Sequence, residues 1–378
     1  MKVPVISFFT GGGFLDIGLH RAGFRAVWTN ENNSAFADMY EFAMAGLRSA
    51  TKDRSLPMTV SSRKNMHELT AKGVMREAFP KGRPDLFGVV GGPPCPDFSS
   101  GGAHAGGGGI NGRLTKLYME MVRSLRPDFF IMENVSGLYA VKKHRRFLSS
   151  LIRMLRVKAD YAVDLRVLNA LELGVPQSRE RLFVVGVKKA TAIAGAGKEA
   201  VSKTEGWFPW PSVAKYSRAR HLNWPSTSPF GGTPPNLDGI PAELTVLPSL
   251  QGDGDPELLP NGKEFFNAYS EKFWTRAEGD VSAKSFKRLH RHRFSPTVWY
   301  GNQEVHLHPW KPRRLSVREA LRIQTVPDEY VLPADQPLSA KFKLICNGVP
   351  CLMAEELGWS VMAFLKRAQR TNGDGSRR

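Results

Sequence analysis

The chain is short of cysteine, short of acid relative to base, and without a long apolar run. Its three cysteines, Cys95, Cys346 and Cys351, are odd in number and in part far apart, which argues against a disulfide framework and fits a reducing cytoplasm. No Cys/His spacing of the zinc type occurs, so no metal is expected. The longest apolar runs, such as the one ending near Val90, fall well short of the roughly 20 residues that span a bilayer. The first residues, MKVPVISFF, read as a strand rather than a leader, and a cytoplasmic, monomeric globular protein with no membrane partner is expected. Acid is the other shortage: Asp+Glu number 35 against 53 Lys+Arg, a net charge of +18. Such an excess is the footprint of a polyanion partner, and the clusters HRHRF (His290–Phe294) and KPRRL (Lys311–Leu315) tilt it towards nucleic acid. The alternative is a solvated basic surface. Basic charge supplies affinity for phosphates and no choice of sequence.

What is present in the first half is alternation. Val3–Phe9, Ala26–Thr29, Leu86–Val90, Phe129–Met132, Tyr161–Leu168 and Leu182–Val187 have strand length and β-branched or aromatic content, and amphipathic segments separate most of them. That rhythm predicts an α/β fold with a mostly parallel sheet. From about Lys188 to Pro312 prolines and glycines multiply and the alternation stops, which predicts a second, smaller and irregular domain. Its tryptophans, Trp207, Trp210, Trp224 and Trp274, read as that domain's core. A helix signal returns at Ser316–Thr325, with Ser316 and Glu319 as a capping box. A last helix covers Cys351–Arg367, and the tail TNGDGSRR reads as unstructured.

Three segments carry chemistry. FFTGGGFLDIGL, Phe8 to Leu19, places glycines at a strand-to-helix turn, where backbone amides can approach a ligand that a Cβ would block. Glu31, about 20 residues on at the end of the second strand, can take both hydroxyls of a ribose, or can be a helix-start acid. Together they favour an adenosine-containing cofactor. GGPPCPDFSSGGAHAGGGG holds Cys95 between prolines and then releases the chain into glycine. A free cysteine is often a small core residue, but a nucleophile is the residue that needs such rigid placement. FFIMENV brings Glu133 to the same sheet edge, as a helix cap or as a catalytic acid. VPQSRERLFVV sets Gln177, Arg179 and Arg181 at alternate positions, all pointing one way, either as a functional row or as an exposed ion-pair stripe.

The ordered set FFTGGGFLDIGL, NEN with Glu31, GGPPCPDFS, MENV, QSRER, RRLSVREALRIQTVPD and CNGVP resembles the DNA (cytosine-5) methyltransferase family, over nearly the whole chain and in the family's order. The resemblance implies a Rossmann-like S-adenosylmethionine-dependent catalytic domain, 1–187 completed by 341–378, with a target-recognition domain at 188–340. It implies methyl transfer to cytosine C5 of double-stranded DNA, after the base is flipped out, through a covalent bond from Cys95 to C6, in the manner of a bacterial modification enzyme with a cognate restriction endonuclease, associated with the nucleoid. Glu133 matches the acid that bonds the base at N3 and the exocyclic amine, Arg181 the arginine at the base carbonyl, and Gln177 and Arg179 their supports. On the cofactor side it implies Phe9 against adenine, Thr10, Gly11 and Gly13 at the turn, Glu31 at the ribose, Asn65 near the adenine amine, Pro94 and Leu114 alongside, and Asn347 with Val349 at the methionine end. Ser99, Ser100 and Arg113 fall in a loop that closes on DNA. The chain departs from the family's pattern at Ser7, where an acid is usual, at Phe14, where a third glycine is usual, at Asn65, where Asp is common, and at Pro93 and Pro96. A tRNA methyltransferase branch shares the catalytic domain, but its Cys-Phe-Thr signature after QxRxR is absent here. A catalytically dead DNA-binding relative is opposed by the intact Cys95, Glu133 and QSRER set.

Overall fold

A computed structural model describes residues 2–94, 110–203, 205–252, 254–283, 285–297 and 306–375. Strands β1 (Val3–Phe8), β2 (Phe24–Asn30), β3 (Gly88–Gly91), β4 (Phe129–Val135), β5 (Tyr161–Asn169) and β6 (Glu180–Lys188) form one sheet in the order β2-β1-β3-β4-β6-β5. The pairings β1–β2, β1–β3 and β3–β4 are parallel, and β6 runs antiparallel to both β4 and β5. The expected mostly parallel α/β sheet is therefore present, with β6 reversed. From β1 the chain moves outwards to β2 and then crosses back to β3. The strand order thus reverses between β1 and β3, and ligands of such sheets sit outside the carboxyl ends at that point.

Alternate residues of each strand face opposite layers. Val5, Val90, Ile131 and Val185 pack with Leu19 of α1 (Phe14–Arg21), Ala192 of α7 (Lys189–Ala196), and Leu357, Val361 and Phe364 of α13 (Cys351–Gly375). On the other face Ile6, Val89, Phe130 and Val184 pack with α3 (Ala71–Ala78), α4 (Ile110–Leu125) and α6 (Lys142–Lys158). The one-turn α5 (Gly137–Ala140) joins β4 to α6. A third apolar cluster joins Phe14 and Ile17 to α2 (Ser34–Thr51), α11 (Val317–Ile323) and α12 (Leu338–Asn347). The Ser316–Glu319 capping box starts α11 as the sequence predicts. The remaining elements are short: α8 (Lys198–Ser202), α9 (Leu247–Gln251), α10 (Lys272–Thr275), and the pair β7 (Lys287–Arg288) and β8 (His306–Leu307).

Three expectations are corrected. Trp207 and Trp210 do not build a core of their own: with Phe208 they join the main layer against Phe364, because the chain after α8 folds back over α13. Trp224 packs on Phe294 in a small cluster, and Trp274 is 53% exposed. The tail does not fray at Thr371, since α13 continues to Gly375. Part of the basic clusters is structural. Arg313 is buried between Glu257 and Glu319, and Arg291 is paired with Glu278.

Candidate active site

The glycine turn is shaped by its backbone. β1 ends at Phe8, and Phe9, Gly11 and Gly13 then take φ of 55°, 53° and 75°, all in the left-handed region. Glycine is suited to two of these positions, and Phe9 bears the strain of the third. Gly13 caps α1, and its N–H donates to the Thr10 carbonyl at 2.7 Å. A Cβ on Gly13 would lie 2.6 Å from the Tyr40 ring, and one on Gly12 2.7 Å from Leu344, whereas beside Gly11 nothing stands within 4 Å. The turn is thus walled behind and open at Gly11, the side on which a ligand can approach.

Glu31 closes this cradle from β2. It is buried, and its carboxylate accepts from the Gly11 N–H (2.9 Å) and the Asn33 N–H (2.9 Å). Burial pushes its carboxyl upwards, and the backbone bonds at Asn33 and Gly11 pull it back. Asn30 donates to the carbonyls of Ser62 and Lys64, and Asn32 donates to Asn65 Oδ1 at 2.7 Å, so the loop carrying Asn65 lies beside Glu31. An open glycine cradle next to an acid with lone pairs to spare fits an adenosyl group.

Asp16 is a further polar residue of the turn. It lies buried in α1 and accepts from Ser7 Oγ (2.7 Å), Thr10 Oγ1 and Tyr40 Oη (3.4 Å). Ser7, where an acid was missing, is thus the donor to an acid nine residues later. Tyr330 is another: its hydroxyl donates to the Gly12 carbonyl at 2.8 Å. The Asp16 signal was a carboxyl in an otherwise apolar helix stripe, Phe14, Ile17 and Leu19. Nothing local marked Tyr330.

The second half of the site forms at β3, β4 and β6. Gly91 pairs with Met132, which sets Gly92 beside Glu133. A Cβ on Gly92 would lie 2.8 Å from Glu133 Oε2, so glycine is what allows the carboxyl to rest against this backbone. On β6, Arg181 pairs with Val135 and is the diagonal neighbour of Glu133 on the same face. Arg181 Nε lies 2.9 Å from Glu133 Oε1. Burial pushes the Glu133 carboxyl up, while the guanidiniums of Arg181 and Arg179 draw it down, and the balance stays above the usual carboxylate range. The neighbouring Asn134 donates to the Pro93 carbonyl at 3.3 Å and so ties β4 to the segment leading towards Cys95.

Arg179 and Gln177 are fully buried, which removes the exposed-stripe alternative for QSRER. Arg179 Nη2 donates to the carbonyls of Cys346 (2.8 Å) and Gly348 (2.9 Å). Gly348 in turn lies against the Phe14 ring, which a Cβ would meet at 2.2 Å. The base-side row and the glycine turn therefore meet through one guanidinium and one glycine. Val349 is buried behind them, and Asn347 is exposed. Backbone bonds between Ser178 and Ser295, and from Ser295 to Pro176, fix the QSRER segment to the FSPT segment.

Cys95, Ser99 and Ser100 lie outside the described residues. Pro94, the residue before Cys95, is exposed at the edge of the site. Arg113 is exposed in the first turn of α4, and Leu114 next to it is half-buried against the second core layer. Among the described residues no three His, Cys, Asp or Glu side chains gather as a metal site, and no helix is long and apolar enough to cross a membrane.

Comparison with known proteins places this arrangement among others of its kind. The family model of C-5 cytosine-specific DNA methylases matches residues 3–217 and 243–362. The type II methyltransferase M.NmeDI of Neisseria meningitidis serogroup C is 38% identical, over 99% of this chain and 87% of its own. M.MthTI of Methanothermobacter thermautotrophicus, also a type II methyltransferase, is 26% identical over 97% of this chain and 99% of its own. Among solved structures, a prophage protein of E. coli assigned as a DNA modification methyltransferase superposes with a TM-score of 0.61 at 22% identity, over 97% of this chain and all of that one, a likeness of fold.

Proposed function

Because the chain belongs to the C-5 cytosine-specific DNA methylase family, we propose that it transfers a methyl group from S-adenosylmethionine to C5 of a cytosine flipped out of double-stranded DNA, by way of a covalent bond from Cys95 to C6. The observation that carries this reading is the pair of buried Glu133 and half-buried Arg181, 2.9 Å apart where β4 ends and β6 begins, beside the Gly92 backbone that leads to Cys95.

S-adenosylmethionine, when bound, supplies an electrophilic methyl group on sulfur. Gly11 gives it backbone room, Gly13 allows the turn, Glu31 takes its ribose hydroxyls, and Phe9, Thr10, Asn65, Pro94, Leu114, Asn347 and Val349 complete its surroundings. The protein's residues do the rest. The Cys95 thiolate adds to C6, forming a carbon–sulfur bond and pushing the ring electrons towards C5. Glu133, whose carboxyl burial pushes upwards, donates towards N3 and accepts from the exocyclic amine, so that the electron-rich ring is stabilised as it forms. Arg181 holds that carboxyl and stands at the base carbonyl. Arg179 and Gln177 keep the row in place. After C5 gains its methyl group, the C5 proton leaves to solvent and the C6–sulfur bond breaks, returning the thiolate.

The duplex buries C5 and C6 in the stack, so the base must be extruded before Cys95 can reach it. The glycines around Cys95 and the residues Ser99, Ser100 and Arg113 serve closure over that base, and residues within 188–340 choose the sequence. Methylation of this kind protects host DNA from a cognate endonuclease. A cytoplasmic monomer acting at the nucleoid meets these requirements.

Bisulfite sequencing of a plasmid from cells producing the protein tests the reaction and reports its target together. Protected cytosines in one recurring sequence are expected. Uniform conversion, from a protein that is folded and abundant, would overturn the reading. Cys95→Ser should abolish protection and should also abolish the denaturation-resistant complex with DNA containing 5-fluorocytosine at the target.

A further inference from the structure

β4 ends at the carboxyl edge of the sheet, next to Glu133, and the chain turns there through α5 into α6, which returns along the second core layer to β5. The first turn of α6 is therefore at the same edge as the site. Its composition runs against the ordinary rules for starting a helix. Lys142, Lys143, Arg145 and Arg146 are all exposed, no acid stands in the first turn, and the N-cap residue Val141 has no side-chain capping bond. Cations at a helix N-terminus oppose the macrodipole, and a cap without an acceptor leaves amides unsatisfied. Val141 is itself 45% exposed.

Internal partners do not account for the charge. The described ion pairs on either side in sequence are Lys116–Glu120 and Arg181–Glu133, and among the described residues none involves Lys142, Lys143, Arg145 or Arg146. Arg145 alone is held, its guanidinium 5.6 Å from the Tyr139 ring centre. The outer face continues with exposed Ser149, Ser150 and Arg153, while Leu148, Leu151, Ile152 and Leu155 bury the opposite face. Local rules broken without a folding gain mark a site kept for something else. Several unpaired cations at the rim of a DNA-modifying site complement one occupant, the phosphate backbone of a duplex.

We infer that the start of α6, Lys142, Lys143, Arg145 and Arg146, is a second DNA-binding surface that grips the duplex backbone beside the target site, apart from the sequence-reading region at 188–340. This rests on the reading of the protein as a DNA methyltransferase. The surface adds affinity and salt dependence at any sequence and leaves the chosen cytosine unchanged.

The test is a variant with Lys142→Gln, Lys143→Gln, Arg145→Gln and Arg146→Gln, compared with the parent on unmethylated plasmid DNA and on a fluorescent duplex of random sequence. Each lost phosphate contact should lower the slope of log Kobs against log salt by about 0.9, so a reduction of about 2 to 4 is expected. The KM for plasmid should rise about tenfold at physiological salt, with kcat at saturating DNA and the Kd for S-adenosylmethionine unchanged. The pair Lys143→Gln/Arg146→Gln should give about half the slope change, which guards against a folding defect in the fourfold variant. A slope and KM equal to the parent's would overturn the inference. If the parent itself transfers no methyl group to the plasmid, the functional reading fails instead, and the random-duplex slopes still decide the binding surface.

Discussion

Arg181 reaches across the β4–β6 register to place its Nε 2.9 Å from Glu133 Oε1, although its own cross-strand partner is Val135. The diagonal pairing sets carboxyl and guanidinium side by side at the sheet edge, one group able to donate or accept a proton and the other permanently cationic, while Arg181 Nη1 donates to the Glu180 carbonyl at 2.8 Å. Glu133→Gln keeps the shape and removes the titrating proton. Single-turnover methyl transfer should slow by about 100-fold or more, while salt-dependent DNA affinity stays at the parent's value. A rate within a few-fold of the parent would show that Glu133 only positions Arg181.

Gly92→Ala probes the same carboxyl from the opposite side. The added methyl would stand 2.8 Å from Glu133 Oε2, part of a carboxyl whose other oxygen, Oε1, is held by Arg181. Displacement of a reacting group by about 1 Å can cost about 100-fold in rate. The variant should unfold cooperatively near the parent's temperature and bind S-adenosylmethionine normally, yet show a kcat lowered by that order. Steady-state kinetics beside a thermal melt separate the two effects.

The parts of this site that sequence makes legible are those carried by short-range pattern. The glycine turn after β1, Glu133 at the end of an apolar run, and the QSRER row entering β6 each stand where strand length and alternation put them. What escapes is what depends on distant partners. Arg179 Nη2 donates to carbonyls 167 and 169 residues away, and only those partners decide between the functional row and the exposed stripe that alternation leaves open. Composition marked a change at Lys188, but Trp207 and Trp210 fill the main core, because a bulky aromatic does not encode which apolar surface it will cover. The HRHRF and KPRRL clusters show the same limit for charge, since Arg291 and Arg313 spend it on Glu278, Glu257 and Glu319.

Tyr330 ties the segment after α11 to the cofactor turn through its bond to the Gly12 carbonyl, 318 residues away in sequence. Tyr330→Phe removes the donor and leaves a buried carbonyl unsatisfied, a loss of about 1–3 kcal/mol. Part of that loss should fall on the turn itself. Calorimetric titration with S-adenosylmethionine should show affinity weakened by about tenfold, with a modest fall in melting temperature. Unchanged affinity would confine Tyr330 to packing against Phe14, whose ring centre lies 5.5 Å from its own.

Asp16 gives the turn a pH signature. Burial pushes its carboxyl up to about 6, against the lowering effect of the Thr10, Ser7 and Tyr40 hydroxyls. The unfolded chain releases this proton near pH 3.8, so between about pH 4 and pH 6 the folded protein holds a proton that the unfolded chain has lost. Stability from this group is therefore complete below pH 4, falls as pH rises through 6, and stays lower by about 3 kcal/mol above that. Asp16→Asn cannot ionise and should lack this fall. Urea unfolding at a series of pH values should show the parent losing about 3 kcal/mol relative to the variant between pH 4 and pH 7. A difference independent of pH would mean that Asp16 titrates as an ordinary carboxyl and that Ser7 and Thr10 hold a charged partner throughout.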